Sequence, residues 1–384
     1  MDNLFFKEEH KMIQNMVCDF AKDEIRPIAK ELDKNGSFPR EIVKKMGELG
    51  LMGINVPAKY GGSELDTIAY STAVIELAKV DASVAITMAS HSSLGTLPLL
   101  LFGNERLKKK HLPKIASGEM LSALGLIEPH AGSDIGSIKT TATKVGEKYI
   151  INGEKIFITN AGEAGLLSFT SRIIEKGSDK GIGVFIVSTD MKGLRVGEKE
   201  NKMGWRASDT RSVYFENMEV DSSSILYFSK NGINKFLKSL TLGRLSIGAL
   251  SVGTARAAYQ KAMEYSNDRI AFNKPINHFQ SISFKLADMA TKIEASELLV
   301  YHAAWLKDKG ENFIKEAAMA KLYASEAAME ITREAIQIHG GYGYVHENDV
   351  ERFFRDAKIL EIVDGTSEIQ RLTISREIIK DKMA

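Results

Sequence analysis

The apolar residues of this chain change period twice, and that pattern restricts the fold more than any other feature. From Lys7 to about Gly118 the spacing is helical, as at Met12, Met16 and Phe20 and again at Ile42, Met46 and Leu49. The run Asp66 to Leu101, rich in Ala, Ser, Ile, Leu and Met, reads as a buried pair of helices, with His91 as a satisfied core residue. Near Leu121 the period falls to two. Residues 139–160 alternate and carry β-branched side chains, with Asn152-Gly153 as a hairpin turn, and strand-like runs follow at 165–172, 181–188 and 210–220. From about Ile225 the helical period returns. Ile282, Leu286, Met289 and Ile293 make one seam, and Ala318, Leu322, Met329 and Ile336 a second, with Lys307 to Asn312 turning between them.

Helices, then short strands, then helices predict an α+β multidomain chain. It comprises an N-terminal all-α domain (1–120), a middle small antiparallel β-barrel or sandwich (121–225) and a C-terminal four-helix bundle (226–384). At 384 residues the chain exceeds what one core usually organises. Gly181-Ile-Gly183 sits inside a strand run without the third glycine and following helix of a dinucleotide fingerprint, so no parallel βαβ nucleotide domain is expected.

Charge and cysteine content remove other classes. A net charge of +1 with both signs interspersed offers no footprint for nucleic acid or an anionic membrane, though a polyanionic small ligand could bind through local Arg and Lys. Cys18 alone supports neither an intramolecular disulfide framework nor a cysteine-built metal cluster, and no metal site is expected. The first ten residues lack a basic segment followed by a long apolar core, and no stretch of about 18 uninterrupted apolar residues follows. A cytoplasmic protein without membrane insertion is expected.

Four motifs fall at the joints of this layout: Leu126-Ile-Glu-Pro-His-Ala-Gly-Ser-Asp134, Gly153-Glu-Lys-Ile-Phe-Ile-Thr-Asn160, Arg269-Ile-Ala-Phe-Asn-Lys-Pro-Ile-Asn-His-Phe-Gln280, and Gln337-Ile-His-Gly-Gly-Tyr-Gly-Tyr344 followed by Arg355-Asp-Ala-Lys-Ile359 and the Asp364 turn. Singly, each has a structural reading: Gly132 and Ser133 as loop and cap, Thr159 as a strand hydroxyl, Gly340 as a helix C-cap, Asp364-Gly365 as a turn and Ser367 with Gln370 as a capping pair. Together and in this order they resemble the acyl-CoA dehydrogenase family over essentially the whole chain.

That resemblance implies FAD as cofactor, an acyl-CoA thioester as substrate, electron-transfer flavoprotein as electron acceptor and a homotetramer built as a dimer of dimers. By the same resemblance, Leu126, Ile127, Phe157, Thr159, Thr366 and Glu368 match FAD contacts, Thr159 near flavin N5 and Phe157 stacked on the ring. Arg269, Phe272, Gln280, Gln337, Gly340 and Gly341 match contacts that a neighbouring subunit makes to the FAD pyrophosphate and adenosine. Ser133 and Arg244 match CoA-binding positions, and Val363 and Gly365 flank the acyl group. Asp364 matches the base that removes the substrate's α-proton while a hydride leaves its β-carbon for the flavin. A weakly acidic α-proton needs such a placed base together with hydrogen bonds to the thioester oxygen, in a site without water.

The departures from the family pattern are specific. Asp364 and Val363 stand where the family usually has Glu and Tyr, Ile127 replaces a Thr, and Thr241 replaces an Asp. The other base position used in the family corresponds to Gly243, which cannot serve. A carboxylate shorter by about 1.5 Å points to an α-branched or alicyclic thioester such as cyclohexanecarboxyl-CoA; a short straight chain is the alternative. Two further readings stay open: a relative acting on an unusual thioester, as a desulfinase or in the enoyl-CoA reductase direction, and a non-catalytic acyl-CoA-binding flavoprotein.

Overall fold

A computed structural model describes residues 4–230 and 233–381. Met1–Asn3, Asn231–Gly232 and Lys382–Ala384, inside the expected helical domains, lie outside the described residues. Seven helices come first: α1 (Glu8–Phe20), α2 (Ala29–Asn35), α3 (Arg40–Glu48), α4 (Thr67–Ala78), α5 (Ala82–Ser90), α6 (Leu97–Phe102) and α7 (Glu105–Ala116). Every residue of α4 and α5 is buried, and Asp66 and Asp81 cap their first turns by accepting the backbone N–H of Ala69 and Val84 at 2.9 Å. The helical run Ala82–Phe102 is long and apolar enough to cross a membrane, yet it lies mostly inside the protein. At the protein's edge the spacing argument is weaker. Of the expected positions on α1, Phe20 is buried and Met16 packs partly against the core, but Met12 is exposed and Val17 is buried in addition.

Eight strands form one sheet: β1 (Leu121–Gly125), β2 (Thr141–Val145), β3 (Lys148–Thr159), β4 (Ala164–Glu175), β5 (Ser178–Ser188), β6 (Leu194–Lys199), β7 (Thr210–Asp221) and β8 (Ile225–Ser229). The order is β6-β7-β3-β2-β4-β5-β8, and β1 also pairs with β4. Most pairings are antiparallel, but β1 and β2 both run parallel to β4. β8 pairs with β5, so the sheet continues past Ile225, where the helical period was expected to resume. The β2–β3 turn falls at Gly146 (φ +61°), not at Asn152-Gly153. Those two residues form a bulge inside β3, where Asn152 pairs with Thr141 and a β-carbon on Gly153 (φ +139°) would stand 2.6 Å from the Thr140 hydroxyl.

Helix α8 (Asn234–Ser239) leads into α9 (Thr241–Asp268), followed by a two-strand ribbon of β9 (Ile270–Ala271) and β10 (Lys274–Pro275), then α10 (Gln280–Asp308), α11 (Ile314–His339), α12 (Val350–Lys358) and α13 (Ser367–Asp381). On α10 the expected seam is buried at Leu286, Met289 and Ile293. On α11 the buried stripe includes Ala317, Ala320, Lys321, Ala324, Ala328 and Ile331; of the expected seam Ala318 is buried, while Leu322, Met329 and Ile336 lie at the margin. Small residues let α9 and α11 approach closely, and this displaces the larger side chains to the flanks.

α12 ties the three parts together. Arg352 reaches Asp81 at 3.2 Å, Arg355 reaches Asp33 at 2.6 Å and the Met203 carbonyl at 3.2 Å, and Asp356 accepts the Trp205 backbone N–H at 2.6 Å. The chain that leaves this strut carries Asp364.

Candidate active site

After α12 a single 3₁₀ turn, Ile359–Glu361, brings the backbone to two consecutive left-handed residues, Asp364 (φ +54°) and Gly365 (φ +94°). Aspartate tolerates that region better than most residues. Fully buried Gln370 holds the turn, its amide donating to the carbonyls of Asp364 (3.1 Å) and Gly365 (2.7 Å). The expected cap at Ser367 is made one residue earlier, where Thr366 Oγ1 accepts the Ile369 N–H at 3.4 Å; the Ser367 hydroxyl is buried without a partner among the described residues.

This backbone turns the Asp364 carboxyl inward against α9. A β-carbon on Gly243 would lie 2.8 Å from Asp364 Oδ2 and 2.9 Å from Leu94 Cδ2. Gly243 therefore leaves the room that the carboxyl occupies. Burial pushes the Asp364 carboxyl up to about 6, opposed by the positive charges of Lys321 and then Arg244. Burial in turn pulls the Arg244 guanidinium down, with Asp364 acting against it. Tyr70 closes the α4 side: its hydroxyl meets Ser246 Oγ at 2.6 Å and the Ala89 carbonyl at 3.2 Å, and burial keeps the phenol neutral. The result is a desolvated carboxylate poised near neutrality and flanked by two cations. Such a group suits proton abstraction.

The expected flavin-facing residues stand on a second bulge of β3. Between Lys155 and Ile158 the register slips, Phe157 adopts φ +51°, and its ring is 58% exposed. Thr159, half-buried, pairs with Thr210. Leu126 and Ile127 lie alongside and are half-buried, with the Ile127 carbonyl accepting the Ile156 N–H at 3.0 Å. Their loop is anchored by Lys155, whose ammonium donates to Glu128 (2.8 Å), Thr170 (3.0 Å) and the Leu126 carbonyl (3.3 Å).

A separate cavity of about 580 Å³ gathers Arg269, Gly340 and Gly341 with Tyr265, His339 and Tyr342. An arginine, glycine backbone and aromatic rings fit the phosphates and base of a dinucleotide, so the donor set agrees with FAD. Phe157 and Thr159 do not line this cavity. Phe272 crowns the β9–β10 ribbon, with φ +48° and 89% exposure, touching Phe279 edge-on. Gln280 and Gln337 are exposed nearby, Glu368 is exposed on the first turn of α13, and Ser133 is exposed in the loop after β1. Val363 is half-buried against the core and Gly365 half-buried in the turn. Thr241 bonds the Lys238 carbonyl at 2.7 Å, so its hydroxyl is satisfied locally. His91 takes the core role expected of it, accepting the Ser122 N–H at 3.1 Å, and burial lowers it to about 4.

Lys321, Leu94, Tyr70 and Gln370 were not among the residues expected here. Gln370 reads only as a capping residue, and the place of Lys321, four residues after Ala317 and three before Ala324, puts it on the face where the alanines recur without pointing to a site.

The helical and sheet units meet around the inward-turned Asp364 carboxyl, and a separate open cavity is large enough for a nucleotide; comparison with known proteins names the family. Models of the acyl-CoA dehydrogenase N-terminal, middle and C-terminal domains match residues 7–119, 123–218 and 230–379. The chain is 46% identical over 373 residues to an acyl-CoA dehydrogenase of Bacillus subtilis (97% of this chain, 98% of that one). It is 43% identical over 378 residues to a 3-(aryl)acrylate reductase of Clostridium sporogenes (98% and 100%). Among solved structures it resembles butyryl-CoA dehydrogenase from Megasphaera elsdenii (TM-score 0.94, 40% identity, 99% and 100% covered). It also resembles a chain in the structure of the electron transferring flavoprotein of Acidaminococcus fermentans (TM-score 0.94, 41% identity, 98% and 99% covered). The chain belongs to the acyl-CoA dehydrogenase family, whose members are FAD-dependent oxidoreductases.

Proposed function

We propose that Asp364 removes the α-proton of an acyl-CoA thioester while the substrate's β-carbon gives up a hydride, producing the 2-enoyl-CoA. FAD, when bound, supplies the hydride acceptor. Phe157, Thr159, Leu126 and Ile127 would hold its ring, with Thr366 and Glu368 beside them, and the Arg269–Gly340–Gly341 cavity of a neighbouring subunit would hold its adenosine end. Arg244 and Ser133 would receive the CoA moiety. The observation that carries this reading is the inward, desolvated carboxyl of Asp364 packed on Gly243. The test is anaerobic bleaching of the flavin. Asp364→Asn should bind acyl-CoA yet reduce its flavin about 10²- to 10⁴-fold more slowly; reduction near the wild-type rate removes the assignment. A binder without catalysis would show a perturbed spectrum and no bleaching even in the wild type.

For the substrate we infer a thioester substituted at its α-carbon, alicyclic or short and branched. Shortening Glu to Asp retracts the carboxyl by about 1.5 Å, and Val363 takes less volume than a Tyr beside it. The likeness to butyryl-CoA dehydrogenase supports the short straight-chain alternative. Relative kcat/KM for butyryl-, isobutyryl- and cyclohexanecarboxyl-CoA decides. A preference for butyryl-CoA above tenfold, or improved turnover of the bulky thioesters by Asp364→Glu, sinks the substituted-substrate reading.

The similarity to a reductase favours a second reading, in which the same residues work in the opposite direction. Reoxidation of the reduced flavin by the matching enoyl-CoA, compared with reduction by the acyl-CoA, separates the two. Electron-transfer flavoprotein as acceptor is supported by the second structural likeness. A homotetramer is supported by Phe272, Tyr344 and Phe284, which are 89%, 86% and 62% exposed in a single chain.

A further inference from the structure

Helices α9 and α11 run side by side in the same direction. A β-carbon on Gly248 would stand 3.5 Å from the backbone at Ala320 and Lys321, and at the far end Tyr265 stacks on His339 with ring centroids 4.3 Å apart. Seventeen residues on α9 thus match eighteen on α11. Side chains on a helix lean toward its N-terminus. Lys321 therefore reaches from the level of Gly248 toward Arg244 and Gly243, four and five residues back, a distance of about 6–8 Å at 1.5 Å per residue. That is the reach of a lysine stem, and it ends where the Asp364 carboxyl rests on Gly243.

Lys321 is completely buried, and its Nζ makes no hydrogen bond among the described residues. An ammonium desolvated in this way is unfavourable unless its charge acts on a partner. We propose that Lys321 is a positioning residue for the reaction, holding Asp364 in its carboxylate form and turned inward against Gly243. The proposal rests on Asp364 being the base.

The surrounding charges agree. Asp364 is faced by Lys321 from α11 and Arg244 from α9, while Tyr70 from α4 is neutral. Burial lowers Lys321 to about 8; Asp364 is the foremost of the carboxylates that oppose this, ahead of Glu361, Glu326 and Glu368. Between about 6 and about 8 both members of the pair are ionised.

Two readouts on the FAD-loaded enzyme test this. The protonated-carboxyl infrared band that disappears in Asp364→Asn is titrated with pH, and the acid limb of anaerobic flavin reduction is measured alongside it. Lys321→Met should move both midpoints up by about one pH unit, slowing reduction about tenfold on the acid side of the wild-type midpoint, about twofold near neutrality and little at alkaline pH. Lys321→Arg should restore them. Lys321→Gln takes the place of the Met variant if that is not recovered with its flavin. An infrared midpoint that stays put in the uncharged variant overturns the proposal, leaving Lys321 as a packing residue. A shifted infrared midpoint without a shifted acid limb supports the coupling and removes Asp364 from the role of base.

Discussion

Among the described residues two lysines are fully buried, and they are buried in opposite ways. Lys155, inside the sheet, spends its ammonium on three acceptors: the Glu128 carboxylate, the Thr170 hydroxyl and the Leu126 carbonyl. Lys321, inside the bundle, has no hydrogen-bond partner among the described residues and a carboxyl at the end of its reach. Burial lowers both to about 8, so desolvation alone does not tell them apart. Hydrogen bonding does. A satisfied buried charge fixes a loop, here the one carrying Leu126 and Ile127, whereas an unsatisfied one keeps its field for a neighbour.

The contrast breaks most visibly in stability. Lys155→Met leaves the Glu128 carboxylate buried without its counter-charge and should cost about 3–5 kcal/mol, read as a large drop in the denaturation midpoint. If that variant is as stable as the wild type, the pair is not holding the loop. Gln370→Ala frees two carbonyls in the Asp364 turn and should cost about 1–3 kcal/mol. It should also lower the rate of flavin reduction more than it weakens acyl-CoA binding, because the left-handed turn that aims the carboxyl loosens. Equal losses in both would mean that Gln370 supports the fold without aiming Asp364. Lys321→Met has the smallest expected effect on stability, no loss or a gain of about 1 kcal/mol, measured by denaturant unfolding. A loss like that of Lys155→Met would erase the distinction between the two lysines.

The three-part layout was legible because apolar period is a local property that packing then obeys. The Asn152-Gly153 pair reads as a hairpin for the same local reason, but Thr141 pairs across to Asn152 and the glycine is used where β3 bends over Thr140. β8 was hidden because Ile225 to Ser229 is a strand only by virtue of its pairing with β5. At the site, Asp364 and Arg244 were legible from residue type and motif, and the structure puts the charge of one on the other. Lys321 was not, since its place on the alanine face of α11 names no partner until α9 is laid against it. Leu94, which borders Gly243 as the carboxyl does, and Tyr70, whose phenol feels the Asp364 charge, lie about 270 and 290 residues away in sequence, a distance that no local pattern spans.

The account turns on a carboxylate at position 364 that must be ionised to act. For a carboxyl raised to about 6 by burial, the base is lost as pH falls through that value and gained as pH rises above it. The direct measurement is kcat/KM for flavin reduction by acyl-CoA across the acid range, because it reports the free enzyme's ionisation. A limb that rises with pH through a midpoint near 6 in the wild type and vanishes into a uniformly slow rate in Asp364→Asn is the predicted result. A pH-independent wild-type rate across that range, or an unchanged limb in the Asn variant, would contradict it.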